Sequence, residues 1–345
     1  MKIDANSVTF EPQDMAFVKK FGILEATEMA LDYHAEHPNL PFLYDAEQLA
    51  GFLGISRGEL NDIVNHIQKE YKEAHLPKKD GTYRSLCVPS IRLRFCQDPI
   101  KEKILPQLPV SKFATAYQKG STTRGNAEPH IGKKFLLKLD ITDFFGSITF
   151  EQVQRTAFNT RYVSRQVGYL LTSLCCKDDS LPQGAATSPA LSNIVMYRFD
   201  DYIGRWCSQR QIAYTRYCDD MTFSANRPLY GVYQKVKTML REMGFELNES
   251  KTHFIGNDNR QSVTGLVVNE KLSIPSGYKR DLRQEVYYAL KFGVEDSVLH
   301  GHRSDFVEDG RPICCPTYML HLMGKVQYVL QIEPENLWFK DAQKK

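Results

Sequence analysis

The sequence predicts an α+β fold, an antiparallel sheet backed by helices, and three observations predict it. Residues 135–141, FLLKLDI, are apolar with alternation, the pattern of a buried strand. Residues 214–225, YTRYCDDMTFSA, alternate on both sides of an acidic pair, as two strands joined by a tight turn. LSNIVMYRFDDYIGRWC and GVYQKVKTMLREMGFEL repeat their apolar residues at helical spacing. The middle of the chain therefore runs strand, helix, hairpin, helix, strand.

The remaining elements follow in order. Residues 12–37 read as helical. DAEQLAGFLGISRGELNDIVNHI gives two short amphipathic helices, the first capped by Asp45 and the second by a capping box of Ser56 and Glu59. The pair resembles a helix-turn-helix, a shape that more often serves packing than DNA reading. In PKKDGTYRSLCVPS the Asp80-Gly81 step signals a hairpin. IRLRFCQDPIKEKILPQL reads as one basic helix. LPQGAATSPALSN is a loop entering a helix, with Ser188 as its cap and Pro189 in its first position. That helix is expected to bury Leu191, Val195, Phe199, Tyr202 and Trp206. A further helix ends near Gly244, SVTGLVVNEKLSIP holds two short strands, and from Lys279 the pattern is mainly helical. No repeat or low-complexity segment interrupts the chain.

Charged residues at 25% and hydrophobic ones at 42% of 345 residues are ordinary for a soluble globular protein. No apolar run approaches the roughly 20 residues of a membrane span, and MKIDANSVTFEPQD has no apolar signal core. Eight cysteines, including the adjacent pairs Cys175-Cys176 and Cys314-Cys315, suit reduced cytoplasmic thiols better than a disulfide framework. A zinc site from Cys314, Cys315, His300 and His302 lacks the usual spacing. Charge is uneven along the chain. Residues 1–50 carry three lysines against nine acids, a net of −6; residues 77–138 carry thirteen Lys or Arg against four acids, a net of +9. With Tyr83, Phe95, Phe113 and Tyr117 interleaved, that basic block suits a nucleic-acid backbone or is a solvated face.

Chemistry concentrates at three acids. Asp140 ends a buried strand, and Asp219 and Asp220 sit at a hairpin tip. If the strands are neighbours, three carboxylates converge, which is costly unless cations neutralise them. Two Mg²⁺ ions bridged by carboxylates and substrate phosphates would do so. An Asp-Asp pair alone is a weak signal: Asp178-Asp179 and Asp200-Asp201 are read as surface or helix-face acids.

The order of the motifs carries more weight. LKLDITDFF, LPQGAATSPALSN and YCDD, in that order, resemble the catalytic-aspartate motif, the template-and-nucleotide loop and the tyrosine-x-Asp-Asp box of reverse transcriptases, over roughly residues 75–335. The resemblance implies a right-hand polymerase fold, with a helical N-terminal region at 1–75, fingers at 76–134, a palm at 135–272 carrying a fingers insertion around 150–185, and a helical thumb at 273–345. NAEPH at 126–130, VTG at 263–265, LTSLCC and GKVQYVLQIEPEN resemble the retron branch of that family. The lack of a maturase, endonuclease or ribonuclease H extension also fits a retron enzyme. Such an enzyme is an RNA-directed DNA polymerase. It copies part of its own structured non-coding RNA into a branched RNA–DNA hybrid (msDNA) from dNTPs, primed by an RNA 2′-hydroxyl, and often serves phage defence with an effector protein. The alternatives are an abortive-infection or diversity-generating reverse transcriptase, or a catalytically dead RNA-binding scaffold, against which all three aspartates argue.

The resemblance also distributes roles. Asp140, Asp219 and Asp220 become the metal ligands. Lys251 becomes the proton donor to pyrophosphate, or else an exposed lysine. Arg84 and Lys78 are expected to hold the triphosphate, with backbone N–H groups of Asp143 and Phe144. Phe145 is expected to exclude a ribose 2′-hydroxyl, and Gln183 and Gly184 to shape the nucleotide pocket, the glycine letting backbone approach the nucleotide. Asn126 and His130 are assigned to RNA recognition or to shaping the priming site. Tyr217, Thr264 and Gly265 are assigned to the primer. Residues 293–318 read as an insertion in the thumb, with no role beyond partner contact.

Overall fold

The computed structural model describes residues 2–4, 7–77, 81–159, 162–300, 306–308, 311–312 and 315–344. Strands β1 (Lys2–Asp4) and β2 (Ser7–Thr9) pair as a small ribbon before helices α1 (Met15–Phe21) and α2 (Ile23–Glu36). The expected single helix breaks at Gly22, whose φ of +81° a helix cannot contain. Helices α3 (Ala46–Leu53) and α4 (Arg57–Asn65) start where their caps dictate. The Asp45 side chain accepts from the backbone N–H groups of Glu47 and Gln48, and Ser56 and Glu59 form the capping box. Leu49, Leu53, Leu60 and Ile63 are fully buried, so this pair serves packing.

Strands β3 (Tyr71–Pro77) and β4 (Tyr83–Pro89) form an antiparallel hairpin. The basic helix expected over 91–108 is divided. Helix α5 (Ile91–Pro99) ends at its proline, and a π-helical turn over Ile100–Ile104 takes up the ladder that Pro99 cannot continue. After α6 (Thr123–Ala127) come β5 (Phe135–Asp140), α7 (Phe150–Ala157), α8 (Arg165–Cys175) and α9 (Ser188–Ser208). The hairpin of β6 (Ala213–Tyr217) and β7 (Asp220–Ala225) is followed by α10 (Tyr230–Glu242) and β8 (His253–Gly256). Strands β9 (Ser262–Val263) and β10 (Leu266–Val267) pair with each other. The chain closes with α11 (Ser276–Phe292), α12 (Val294–His300), the short ribbon of β11 (Val307–Glu308) and β12 (Arg311–Pro312), α13 (Cys315–Ile332) and α14 (Leu337–Ala342).

The central sheet is antiparallel in the order β6-β7-β5-β8. Strand alternation gives it two different faces. Leu137, Leu139, Met221, Phe223 and Tyr214 join the main apolar core with α9 and α10, and the Tyr214 and Phe223 rings stack at 4.6 Å. The opposite face carries Asp140 and Asp220 at one end, in register with each other, and Leu136 at the other. Leu136 belongs to a second core made with Ala127, β9, β10 and the C-terminal helices. Among the described residues no helix is long and apolar enough to cross a membrane.

Two local expectations are corrected. Ser188 does not cap α9: Thr187 precedes the helix in an already helical conformation, and the Ser188 hydroxyl donates to the Pro182 carbonyl at 2.7 Å. The buried stripe of α9 also turns away from Tyr202, because a 3.6-residue repeat advances it to Ile203 and Cys207, both fully buried, while Trp206 packs half-buried against the core. Tyr202 is exposed and receives Lys235 at 3.1 Å.

Helix α8 sits against the turn after α7 so closely that a Cβ on Gly168 would lie 2.4 Å from the Phe158 backbone oxygen. A backbone atom cannot swing aside as a side chain can. Gly168→Ala is therefore expected to cost about 1–3 kcal/mol, read as a lower urea midpoint. An unchanged midpoint would mean that α8 moves freely off that turn.

Candidate active site

Strands β6 and β7 are joined by the two-residue loop Cys218-Asp219, with Cys218 at φ +62°. A non-glycine residue there costs about 1–2 kcal/mol, so something must hold it. Arg216 does, donating from Nη1 to the Cys218 carbonyl at 2.8 Å. The rest of its guanidinium is spent on Asp200: Nε lies 2.9 Å from Oδ1 and Nη2 lies 2.5 Å from Oδ2. Nη2 also donates to Asn193 Oδ1 at 3.1 Å, and the Tyr214 hydroxyl donates to Asp200 Oδ1 at 2.7 Å. Both charged side chains are wholly buried. Burial opposes the Arg216 charge, but the charge and hydrogen bonds of Asp200 more than offset it and hold the guanidinium protonated. The reading of Asp200 as a surface or helix-face acid is thus corrected; it points into the core, while its neighbour Asp201 pairs with Arg205 outside.

Around the tip lies a cleft of about 600 Å³ lined by Asp140, Asp143, Phe144, Phe145, Gln183, Tyr217, Asp219, Asp220 and Lys251 from the expected set, with Arg84 of β4. The Lys251 ammonium lies 2.9 and 3.1 Å from the two Asp140 oxygens. That hydrogen bond, aided by the charges of Asp140, Asp219 and Asp220, raises the Lys251 pKa. Burial and then the Asp219 charge raise that of Asp220. One ammonium cannot balance three carboxylates. Hard oxygen donors of this kind suit a divalent cation such as Mg²⁺ rather than a soft-ligand metal. Among the described residues they do not close into a ready-made cage, and Asp140 is instead engaged by Lys251.

The turn after β5 is suspended from two neighbours. Ile141 N–H donates to the Asp219 carbonyl at 3.3 Å and Thr142 N–H to the Glu246 carbonyl at 2.9 Å. Asp143 then takes φ +42°, and its carboxylate lies over Gly146 so closely that a Cβ there would meet Oδ2 at 2.2 Å. Among the described residues, the backbone N–H groups of Asp143, Phe144 and Phe145 donate to nothing. The Phe144 ring is core, beneath the Arg216 guanidinium, whereas Phe145 is half-buried at the cleft wall. Gln183 reaches the cleft while its carbonyl accepts from Cys87 N–H at 2.7 Å. Gly184 is placed differently from expectation. At φ +125° its missing Cβ faces the Cys87 carbonyl at 2.8 Å, so glycine here lets the loop close on β4 rather than on a nucleotide. Lys78 lies outside the described residues.

The NAEPH and VTG stretches meet each other. Asn126 accepts from the Thr115 hydroxyl at 2.6 Å and donates to Thr264 Oγ1 at 3.4 Å, and Thr264 donates to the Thr123 carbonyl at 3.2 Å. Thr264 at φ +45° and Gly265 at φ +82° make the tight turn between β9 and β10, as a type I′ hairpin requires. His130 bridges β7 and β6, with Nδ1 2.7 Å from Ser224 Oγ and Nε2 2.9 Å from Thr215 Oγ1. Of the two readings of Asn126 and His130, direct RNA contact is corrected, because both are buried and their polar atoms are engaged within the protein; the reading that they shape the priming site is the one left.

Sequence reasoning had Tyr83 and Tyr117 only as aromatics of the basic block, and missed Asn248 in the cleft and the Asp200–Arg216 pair beneath it. The pair left a trace. Arg216 occupies the same inward-facing phase of β6 as Tyr214, and Asp200 lies beside the inward Phe199 of α9. A charge at an apolar phase on each of two adjacent elements is the signature of a buried ion pair.

Residues 76–268 match the family described as reverse transcriptase (RNA-dependent DNA polymerase). The chain is 31% identical to the retron Mx65 reverse transcriptase of Myxococcus xanthus over 320 residues, covering 86% of this chain and 70% of that one. It is 34% identical over 233 residues to the retron Ec83 reverse transcriptase of Escherichia coli, covering 63% and 75%, and 28% identical over 270 residues to the retron Ec86 enzyme of the same organism, covering 77% and 84%. The antiparallel sheet, its acidic tip and this match define a right-hand polymerase of the kind that uses divalent metal ions. The chain belongs to the reverse transcriptase family, in its retron branch, and is an RNA-directed DNA polymerase with an RNA partner.

Burial pushes the His130 imidazole down to about 3. The fold therefore holds the neutral ring, while the unfolded chain titrates near 6.5. Its contribution is complete above about 6.5 and is lost as pH falls toward 3, by up to about 1.4 kcal/mol per pH unit, because only the unfolded chain takes up the proton. Urea unfolding near pH 5 and pH 7 should show a larger loss on acidification for wild type than for His130→Gln. Equal losses would assign the titration to another group.

Proposed function

We propose that this protein is a retron reverse transcriptase that copies part of its own structured non-coding RNA into a branched RNA–DNA hybrid, starting from a 2′-hydroxyl of that RNA. The observation that carries the reading is the gathering of Arg84, Phe145, Gln183 and Lys251 around the three aspartates in one cleft. Asp140, Asp219 and Asp220 would hold two Mg²⁺ ions, which when bound activate the attacking hydroxyl and steady the leaving pyrophosphate. The protein's own groups do the rest. Arg84, unpaired among the described residues, grips triphosphate oxygens through its planar fork. The N–H groups of Asp143 and Phe144, free among the described residues, add further donors. Phe145 stands against the sugar and selects dNTPs, and Gln183 borders the nucleotide. Lys251 holds a proton at Nζ beside Asp140 and can pass it to pyrophosphate. Tyr217 and the Thr264-Gly265 turn lie along the primer.

In this reading the β3–β4 hairpin belongs to the fingers, the four-stranded sheet to the palm and α11–α14 to the thumb. The basic block at 77–138 tracks phosphates. The thumb offers exposed rings for RNA, among them Tyr287, with Lys291 5.3 Å from its centroid, and Trp338, with Arg283 at 5.7 Å. The enzyme would act in the cytoplasm with an effector protein in phage defence.

Asp219→Asn is expected to abolish primer extension while leaving the unfolding midpoint at or above that of wild type, since it removes a ligand and a repulsion together. Near-normal extension by this variant would sink the metal assignment.

Phe145→Ala is expected to admit ribonucleotides, because the aromatic wall beneath the 2′ position is gone. Steady-state incorporation of rNTP against dNTP should rise by about tenfold or more, the worth of a well-packed contact of roughly 1.4 kcal/mol. Unchanged discrimination would place the selecting side chain elsewhere.

A further inference from the structure

Tyr117 lines the cleft beside Cys218 and is 47% exposed, so its ring is not there to fill the core. Its backbone is at φ +59°, a region that an aromatic residue seldom occupies. The strain is imposed from both sides. Ahead of it, Asn193 Nδ2 donates to the Ala116 carbonyl at 2.8 Å, and Thr115 N–H donates to the Arg216 carbonyl at 2.7 Å. Behind it, the Gln118 amide donates to the Ala114 carbonyl at 2.5 Å and to that of Ser111 at 3.2 Å. A glycine would take this conformation without strain. Among the described residues the side chain makes one hydrogen bond, hydroxyl to Cys218 Sγ at 3.0 Å, and it goes to a weak acceptor. A strained residue that is neither buried nor strongly bonded marks a side chain wanted for contact with something else.

The surroundings say what that is. Anion-binding groups, Arg84, Lys251 and the free N–H groups after Asp140, account for phosphates. Tyr117 is uncharged and flat, and stands level with Cys218, next to the aspartate tip. We propose that the Tyr117 ring is the stacking surface for the nucleobase pair forming at the polymerising centre. The base that meets it is the templating base or its incoming partner. The ring is held there by the same Asp200–Arg216–Asn193 network that fixes the tip. This rests on the polymerase reading, and it assigns a contact that the motifs do not contain.

The test uses full-length protein on a primed RNA template with 2-aminopurine as the templating base. Wild type should extend the primer and quench the aminopurine on binding. Tyr117→Gly should keep or raise the melting temperature, because it releases strain. It should lose the quench and weaken primer–template affinity by about tenfold, the usual worth of one base–aromatic stack. Tyr117→Phe should restore both. If Tyr117→Gly keeps quench and affinity, or if Tyr117→Phe fails as fully as glycine, the ring is not a stacking surface and the proposal falls. If wild type quenches but does not extend, the polymerase reading fails while the stacking contact stands. If it does neither, both are overturned.

Discussion

The buried pair of Asp200 and Arg216 is the interaction on which the active centre depends. Taking two charges out of water costs several kcal/mol per ion. A pair like this is weak evidence for stability, and apolar residues of the same shape would often serve a core as well. Its value lies in what the guanidinium fork reaches. One side chain ties α9 through Asp200 and Asn193 to the Cys218 carbonyl at the tip of the β6–β7 hairpin. The Arg216 backbone extends the tie to a third segment, donating to the Phe113 carbonyl at 2.8 Å and accepting from Thr115. Helix, hairpin and the loop over 111–118 thus share one point of reference. No apolar substitute could hold a strained carbonyl in place.

The cleft above that point has the opposite problem, excess negative charge. Asp140 and Asp220 are cross-strand partners, and Asp219 directly precedes Asp220 on the loop from β6. Lys251 answers one carboxylate, while burial and then the neighbouring Asp219 charge raise the pKa of Asp220. Such an arrangement persists only because the core beneath is rigid enough to force it. A polyanionic substrate could not approach these acids without divalent cations. Arg84, Lys251 and the backbone N–H groups after Asp140 line the same cleft as the carboxylates.

The parts of the fold set by strong local chemistry were legible. Capping residues fixed the starts of α3 and α4, alternation marked β5 and the β6–β7 hairpin, and the acidic tip was readable because strand ends bracket it. What escaped depends on distant partners. Strand β8 is four residues long, without alternation in its burial, and is a strand only because β5 lies beside it. Ser188 has the chemistry of a cap, but the buried Pro182 carbonyl claimed its hydroxyl. Asn126 and His130 sit in a stretch that suggests recognition. Tertiary packing turned them inward, where the neutral imidazole bridges two strands and the Asn126 amide joins a loop to the β9–β10 turn. Tyr117 was legible only as one of four aromatics in a basic block, since its place at the tip depends on a backbone angle that composition and periodicity do not carry.

That angle belongs to a pattern. Seven non-glycine residues among those described have positive φ, and three of them, Tyr117, Asp143 and Cys218, line one cleft. A fourth, Thr264, is β-branched and forms the turn that meets Asn126. Each such residue costs about 1–3 kcal/mol, a large fraction of the few kcal/mol by which a fold is stable. Around the cleft, the strain follows from placing the Cys218 backbone carbonyl, the N–H groups after Asp140 and an aromatic ring where regular strands would not put them. The buried ion pair and the two apolar cores supply the rigidity that keeps these positions from relaxing.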